Sequence, residues 1–174
     1  MPQSLAQVYL HVVFSTKNRT AFFIDREFRR RVHAYLAGTC ENLDCPSIRV
    51  GGVADHIHIL CRFGRGITLS DFIRELKRES SKWIKEQKPS LDKFYWQNGY
   101  GAFSVSPGHV DSLHQYIVDQ EEHHQTETFQ PDLFTNPSFQ ELIGPGVACR
   151  WRACVSERGG PPFPRRSCEA GGVS

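Results

Sequence analysis

Between Val8 and His124 the apolar residues switch between the two-residue repeat of a strand and the repeat near 3.6 of a helix, in the order β-α-β-β-α-β-α. Val8 to Thr16 alternates strictly, with Tyr9, His11, Val13 and Ser15 on one face and Val8, Leu10, Val12 and Phe14 on the other. Asp25 can cap a helix to about Leu43, with Phe28, Val32, Tyr35, Leu36 and Leu43 at helical spacing. Ser47 to Phe63 supplies two strands around a Gly51-Gly52 bend. Thr68 or Ser70 caps a helix to about Gln87, built on Phe72, Ile73, Leu76, Trp83 and Ile84. The aromatic stretch from Phe94 to Ser106 ends as a short strand, Pro107 breaks it, and a last helix runs from about His109 to His124. Few folds accept that order. It predicts an α+β domain of split-βαβ, ferredoxin-like type, an antiparallel sheet with helices on one face and one helix added at the C-terminal side.

The 174 residues suffice for one domain with a real core, assigned to residues 1–143. Residues 144–174 hold six Gly, four Pro and five Arg without apolar periodicity, a composition that predicts a disordered tail. No apolar run approaches the ~18 residues a membrane span needs, and no basic-then-apolar leader opens the chain, so cytoplasmic residence is expected. Cys40/Cys45 and Cys149/Cys154 each enclose four residues rather than the two of zinc knuckles, so they and Cys61 and Cys168 are expected as free thiols.

Charge is segregated. Residues 1–93 carry 16 Lys and Arg against 10 acids, whereas residues 94–143 carry seven acids and no Lys or Arg. A polyanion bound by the first half and a cation held by the second would suit that division.

Within Asp55-His56-Ile57-His58-Ile59-Leu60, strand alternation puts His56 and His58 on one face. Two imidazoles about 6–7 Å apart along a strand are half of a metal site, and equally the polar face of a half-buried sheet. Sixty residues downstream, Tyr116 and Gln120 lie four apart on one helical face. Leu113 and Ile117 mark a neighbouring stripe that could pack on the sheet, so Tyr116 could also be plain core. Taken together, a phenol one turn from an amide, beside two imidazoles, offers a nucleophile next to a three-ligand metal site with open positions for phosphate oxygens.

Several further segments are specific: His11-Val12-Val13-Phe14-Ser15-Thr16-Lys17-Asn18-Arg19, Gly51-Gly52-Val53-Ala54-Asp55-His56-Ile57-His58, Ser80-Ser81-Lys82-Trp83, Trp96 through Ser106, and Tyr116 through His124. In this order they resemble the small single-tyrosine HUH transposases, enzymes of minimal insertion sequences that move as single-stranded DNA. The resemblance spans about residues 3–130. It implies that His56 and His58 bind magnesium or manganese with Gln120 as third ligand. It makes Tyr116 the nucleophile that forms a 5′-phosphotyrosine and frees a 3′-hydroxyl. It also implies homodimers that recognise hairpins at the element ends, with sites that can pair the histidine strand of one subunit with the tyrosine helix of the other. No small-molecule cofactor is expected. After the tyrosine helix this chain departs from its relatives, with Pro131, Asn136 and Pro137 ahead of the Gly/Pro/Arg tail.

Lys17, Arg19, Arg74, Lys77, Arg78, Lys82 and Lys85 are candidates to grip DNA phosphates, although Glu75 and Glu79 could instead pair with the helical ones. Trp83, Tyr95, Trp96 and Tyr100 could stack on unpaired bases or fill the core. His123 could support the metal from outside its ligand set, or simply meet the helix dipole. A competing function is a non-catalytic, single-stranded nucleic-acid-binding protein of the same fold. A histidine-triad hydrolase would need a third alternating histidine where Leu60 stands.

Overall fold

The computed structural model of the chain describes residues 6–123, with side chains as far as Gln120. Its elements follow the predicted order: β1 (Tyr9–Ser15), α1 (Arg26–Asn42), β2 (Ser47–Gly52), β3 (His56–Arg62), α2 (Leu69–Gln87), β4 (Gly101–Val105) and α3 (Val110–His123). The four strands form one antiparallel sheet in the order β2-β3-β1-β4, the ferredoxin-like arrangement. The expected 1–143 boundary, the 144–174 tail, Cys149, Cys154, Cys168 and the side chain of His123 lie outside the described residues.

Both long helices start where the sequence supplies a cap. The Asp25 carboxylate accepts from the backbone N–H groups of Glu27 and Phe28 at 3.0 and 3.2 Å. The Thr68 hydroxyl accepts from Asp71 N–H at 3.2 Å and donates to the Asp71 carboxylate at 2.7 Å.

Alternation then sorts the sheet into two faces. Leu10, Val12 and Phe14 of β1 and Ile57, Ile59 and Cys61 of β3 pack under Phe28, Val32 and Leu36 of α1 and Phe72, Leu76 and Ile84 of α2. Each such fully buried large side chain contributes about 1.5–3 kcal/mol. Cys40, Cys45 and Cys61 are free, buried thiols of this core.

The opposite face carries His11, Val13, His56, His58 and Leu60, all buried. Here α3 docks through Leu113 and Ile117, also buried. The added helix thus covers the face that α1 and α2 leave open. Its approach depends on Gly51, since a Cβ built there would lie 2.5 Å from Ile117 Cγ2 and 3.1 Å from the Ile117 carbonyl oxygen. That close passage sets the height of α3 above the histidine strand.

Candidate active site

Antiparallel register brings Ser15 opposite His56 and Val13 opposite His58, so β1 backs the histidine pair along its length. The two rings stand 5.1 Å apart between centroids. Each is oriented through Nδ1. His56 Nδ1 is 2.7 Å from the Asp55 carboxylate, whose second oxygen accepts from Arg19 Nε at 2.9 Å. His58 Nδ1 is 2.9 Å from His11 Nε2, and these two rings stack. With Nδ1 engaged, Nε2 is the atom through which either histidine would bind a cation. Fixing ring orientation from behind in this way is what carboxylate–histidine pairs do at metal sites.

Protonation states follow from the surroundings. Burial drives His11 down to about 3, so it is a neutral imidazole at physiological pH. Burial alone would raise Asp55, but the hydrogen bond and charge of His56, with Arg19 behind them, hold it at about 2.

Arg19 reaches Asp55 from a tight loop after β1 in which Asn18 and Arg19 take φ of 56° and 53°. Left-handed backbone at a non-glycine residue is costly and persists only where its surroundings enforce it. The Asp55 pair and the Lys17 N–H bond to the Tyr95 carbonyl, 2.8 Å, do so here.

From α3, Tyr116 sits over this face, its ring 6.0 Å from that of His58 and nearly perpendicular to it. Gln120, one turn on, is buried and donates from Nε2 to the Tyr116 phenol oxygen at 2.9 Å. Its other amide atom, Oε1, is buried and has no hydrogen-bond partner. Burial raises the phenol above its ordinary range, and the bond from Gln120 opposes that shift. Tyr116 is therefore protonated at neutral pH unless positive charge is brought close.

All four predicted site residues converge, and they do so within one chain. The orienting residues Asp55 and His11 carried only a weak signal: Asp55 adjoins the His-x-His, and His11 shares the polar face of β1. Among the described residues no cluster of three His, Cys, Asp or Glu side chains could hold a metal ion.

The basic candidates separate. Arg19 is committed to Asp55. Arg74 pairs with Asp71 and Glu75, and Arg78 with Glu75 and Glu79. Lys77 donates to the carbonyls of Gln97 and Gly99 at 2.7 and 2.9 Å, locking the loop before β4, although burial lowers it to about 8. Those bonds favour the charged ammonium and oppose the shift. Lys82 is exposed, and Lys17 and Lys85 lie beside Tyr95. Of the aromatics, Trp96 is buried and donates to the Ser80 hydroxyl, while Trp83 stacks on Phe28 and Tyr35.

Residues 4–120 match the family model described as IS200-like transposase. The transposases for insertion sequence element IS200 of Salmonella typhimurium and Salmonella typhi are each 31% identical to this chain over 115 residues, 63% of this chain and 74% of theirs. A crystal structure from Deinococcus radiodurans R1, assigned as a transposase, superposes with a TM-score of 0.57 at 20% identity, covering 69% of this chain and 95% of that one. A REP-associated tyrosine transposase bound to a REP hairpin gives 0.51 at 11% identity, with 79% of each chain covered. At such identities these two structures support the fold, and the family rests on the sequence match. The chain belongs to the IS200-like transposase family, whose members are DNA-cleaving and strand-transferring enzymes.

Proposed function

We propose that this transposase cuts and rejoins single-stranded DNA at hairpin-marked ends through a 5′-phosphotyrosine on Tyr116, with Mg2+ or Mn2+ held by His56, His58 and Gln120. The observation that carries this reading is the Gln120 amide. One end holds the Tyr116 phenol, whose ring lies 6.0 Å from that of His58, while the other is a buried carbonyl oxygen with no hydrogen-bond partner. An orphaned buried acceptor costs about 1–3 kcal/mol and is retained where a ligand can use it. Two neutral nitrogens and one amide oxygen suit a divalent cation and leave coordination positions for phosphate. When bound, the cation supplies positive charge that polarises the phosphate and favours phenolate over phenol.

The chain's own residues do the rest. Tyr116 Oη loses its proton to solvent and attacks phosphorus, the bond from phosphorus to the 3′ oxygen breaks, and that oxygen takes a proton from solvent and leaves as a 3′-hydroxyl. Rejoining is the reverse attack by a 3′-hydroxyl on the phosphotyrosine, so the phosphodiester energy is conserved. Asp55 and His11 keep the imidazoles in register throughout. We place the enzyme in the cytoplasm, and as a twofold homodimer in which the basic first half of one subunit would face the acidic 94–143 segment of the other. Among the described residues no helix is long and apolar enough to cross a membrane.

The test is incubation with a labelled hairpin oligonucleotide. A denaturation-resistant protein–DNA adduct should form with Mg2+ or Mn2+, vanish with chelator, and be absent from Tyr116→Phe and from the His56→Ala, His58→Ala double variant while DNA binding persists. Normal cleavage by the double variant would overturn the metal assignment.

A further inference from the structure

We propose that Tyr95, with Lys17 and Lys85, forms a subsite in which one unpaired base of the DNA stacks on the phenol ring while its flanking phosphates meet the two ammonium groups. This rests on the reading that the enzyme acts on single-stranded DNA, and it assigns where that strand runs beyond the catalytic face.

Tyr95 is out of place among its neighbours. Phe94 and Trp96 are buried core residues, whereas Tyr95 is 54% exposed. Its backbone is nevertheless fixed. The Tyr95 carbonyl accepts from Lys17 N–H at 2.8 Å, Trp96 bridges to Thr16, and Gln97 N–H donates to the Ser15 carbonyl at 2.8 Å. A large aromatic held outward on a rigid backbone stacks on a partner without an ordering cost. Two cations lie over the ring: Lys85 Nζ at 4.0 Å and Lys17 Nζ at 5.9 Å from its centroid. Both are long, mobile side chains that can swing from ring to phosphate. Sequence-tolerant stacking on an aromatic beside backbone-gripping cations is how proteins hold single strands. An acidic protein surface would use the lysines and leave the exposed ring without a role.

Position links this subsite to the chemistry. Thr16 N–H donates to the Asp55 carbonyl and Ser15 lies opposite His56, so the turn from Ser15 to Lys17 touches the histidine strand on one side and Tyr95 on the other. Two strand spacings, roughly 10 Å, separate the Tyr95 backbone from the histidine strand, and the ring itself lies toward α2, beside Lys85. Beside Tyr95 a cleft of about 400 Å³, lined by Trp96, Gln97 and Asn98 and, from α2, by Arg74, Lys77 and Arg78, gives the strand room to continue.

The experiment measures anisotropy of labelled single-stranded oligonucleotides in chelator, so that binding is read without cleavage. Tyr95→Ala should bind roughly five- to hundred-fold more weakly and Tyr95→Phe about as well as the parent. In a series with one abasic position moved along the strand, one position should weaken the parent by that same factor and leave Tyr95→Ala unaffected. The Lys17→Ala, Lys85→Ala variant should lower the slope of log affinity against log salt by about 1.4. Tyr95→Ala binding like the parent, with its fold verified by circular dichroism, would overturn the subsite alone. So would abasic effects that simply add to that of Tyr95→Ala, or an acidic peptide competing as well as DNA does. A parent protein that binds no single-stranded DNA would overturn the functional reading together with the subsite.

Discussion

Replacing Gly51 by alanine tests whether the height of the tyrosine helix above the sheet governs the chemistry. The new Cβ would sit 2.5 Å from Ile117 Cγ2 and 3.1 Å from the Ile117 carbonyl oxygen. Ordinary carbon contacts are about 3.5–4.0 Å, so α3 must retreat by roughly 1 Å. Overpacking of this kind costs about 1–3 kcal/mol, a fall of several degrees in Tm that the domain should survive folded. The catalytic cost should be larger. Tyr116 adjoins Ile117, Gln120 lies one turn on, and a displacement of 1 Å at a reacting group can cost about a hundredfold in rate. Single-turnover cleavage of a hairpin oligonucleotide should therefore slow about a hundredfold, while binding in chelator is unchanged. Adding Ile117→Ala removes the Cγ2 clash and should recover part of the rate, limited by the carbonyl contact. Gly38→Ala on α1 is the control: nothing lies within 4 Å of its added Cβ, so it should be neutral or stabilising and leave the rate alone. A Gly51→Ala rate within twofold of the parent would refute the argument that this glycine sets the site.

Because the folded-state pKa of Asp55 is depressed to about 2 from 3.8, its ionised form contributes about 2 kcal/mol of stability above pH 4, lost as pH falls from 4 to 2. Denaturant unfolding should show Asp55→Asn less stable by about that amount at pH 5 and nearly equal to the parent at pH 2; an equal deficit at both would contradict it. Gln120→Ala should lower Mn2+ affinity, read by electron paramagnetic resonance without DNA, by 10- to 100-fold and slow cleavage as well. A loss of rate at unchanged Mn2+ affinity would leave Gln120 as a support for the phenol only. Mixing His56→Ala with Tyr116→Phe chains should recover no cleavage if each chain works with the set that converges within it. Recovery would mean that the tyrosine helix exchanges between subunits.

What could be read from the sequence was whatever rests on local periodicity and on residues near in the chain. The strand and helix order, the Asp25 and Thr68 caps, and the shared face of His56 and His58 all emerge from spacing alone. The pairing of Tyr116 with Gln120 does too, since a helix brings residues four apart together. The contacts that orient the site span much longer separations, and periodicity carries no information about them. His11 meets His58 across 47 positions and Arg19 meets Asp55 across 36. Arg19 consequently reads as a phosphate contact in the sequence and as an orienting partner in the structure. Lys77 reads as one of a basic stripe, yet the loop at 97–99 captures it. Gly51 reads as half of a bend, whereas its function is to leave room for Ile117.

Finding the atom to which DNA becomes attached identifies the nucleophile. The parent protein is incubated with a hairpin oligonucleotide and Mn2+, denatured, digested, and its nucleotide-bearing peptides sequenced by mass spectrometry. A single modified residue is expected, Tyr116, carrying the 5′ phosphate of the cut strand, with a free 3′-hydroxyl on the released fragment. A phosphate on any other side chain, or cleavage without a covalent species, would contradict it.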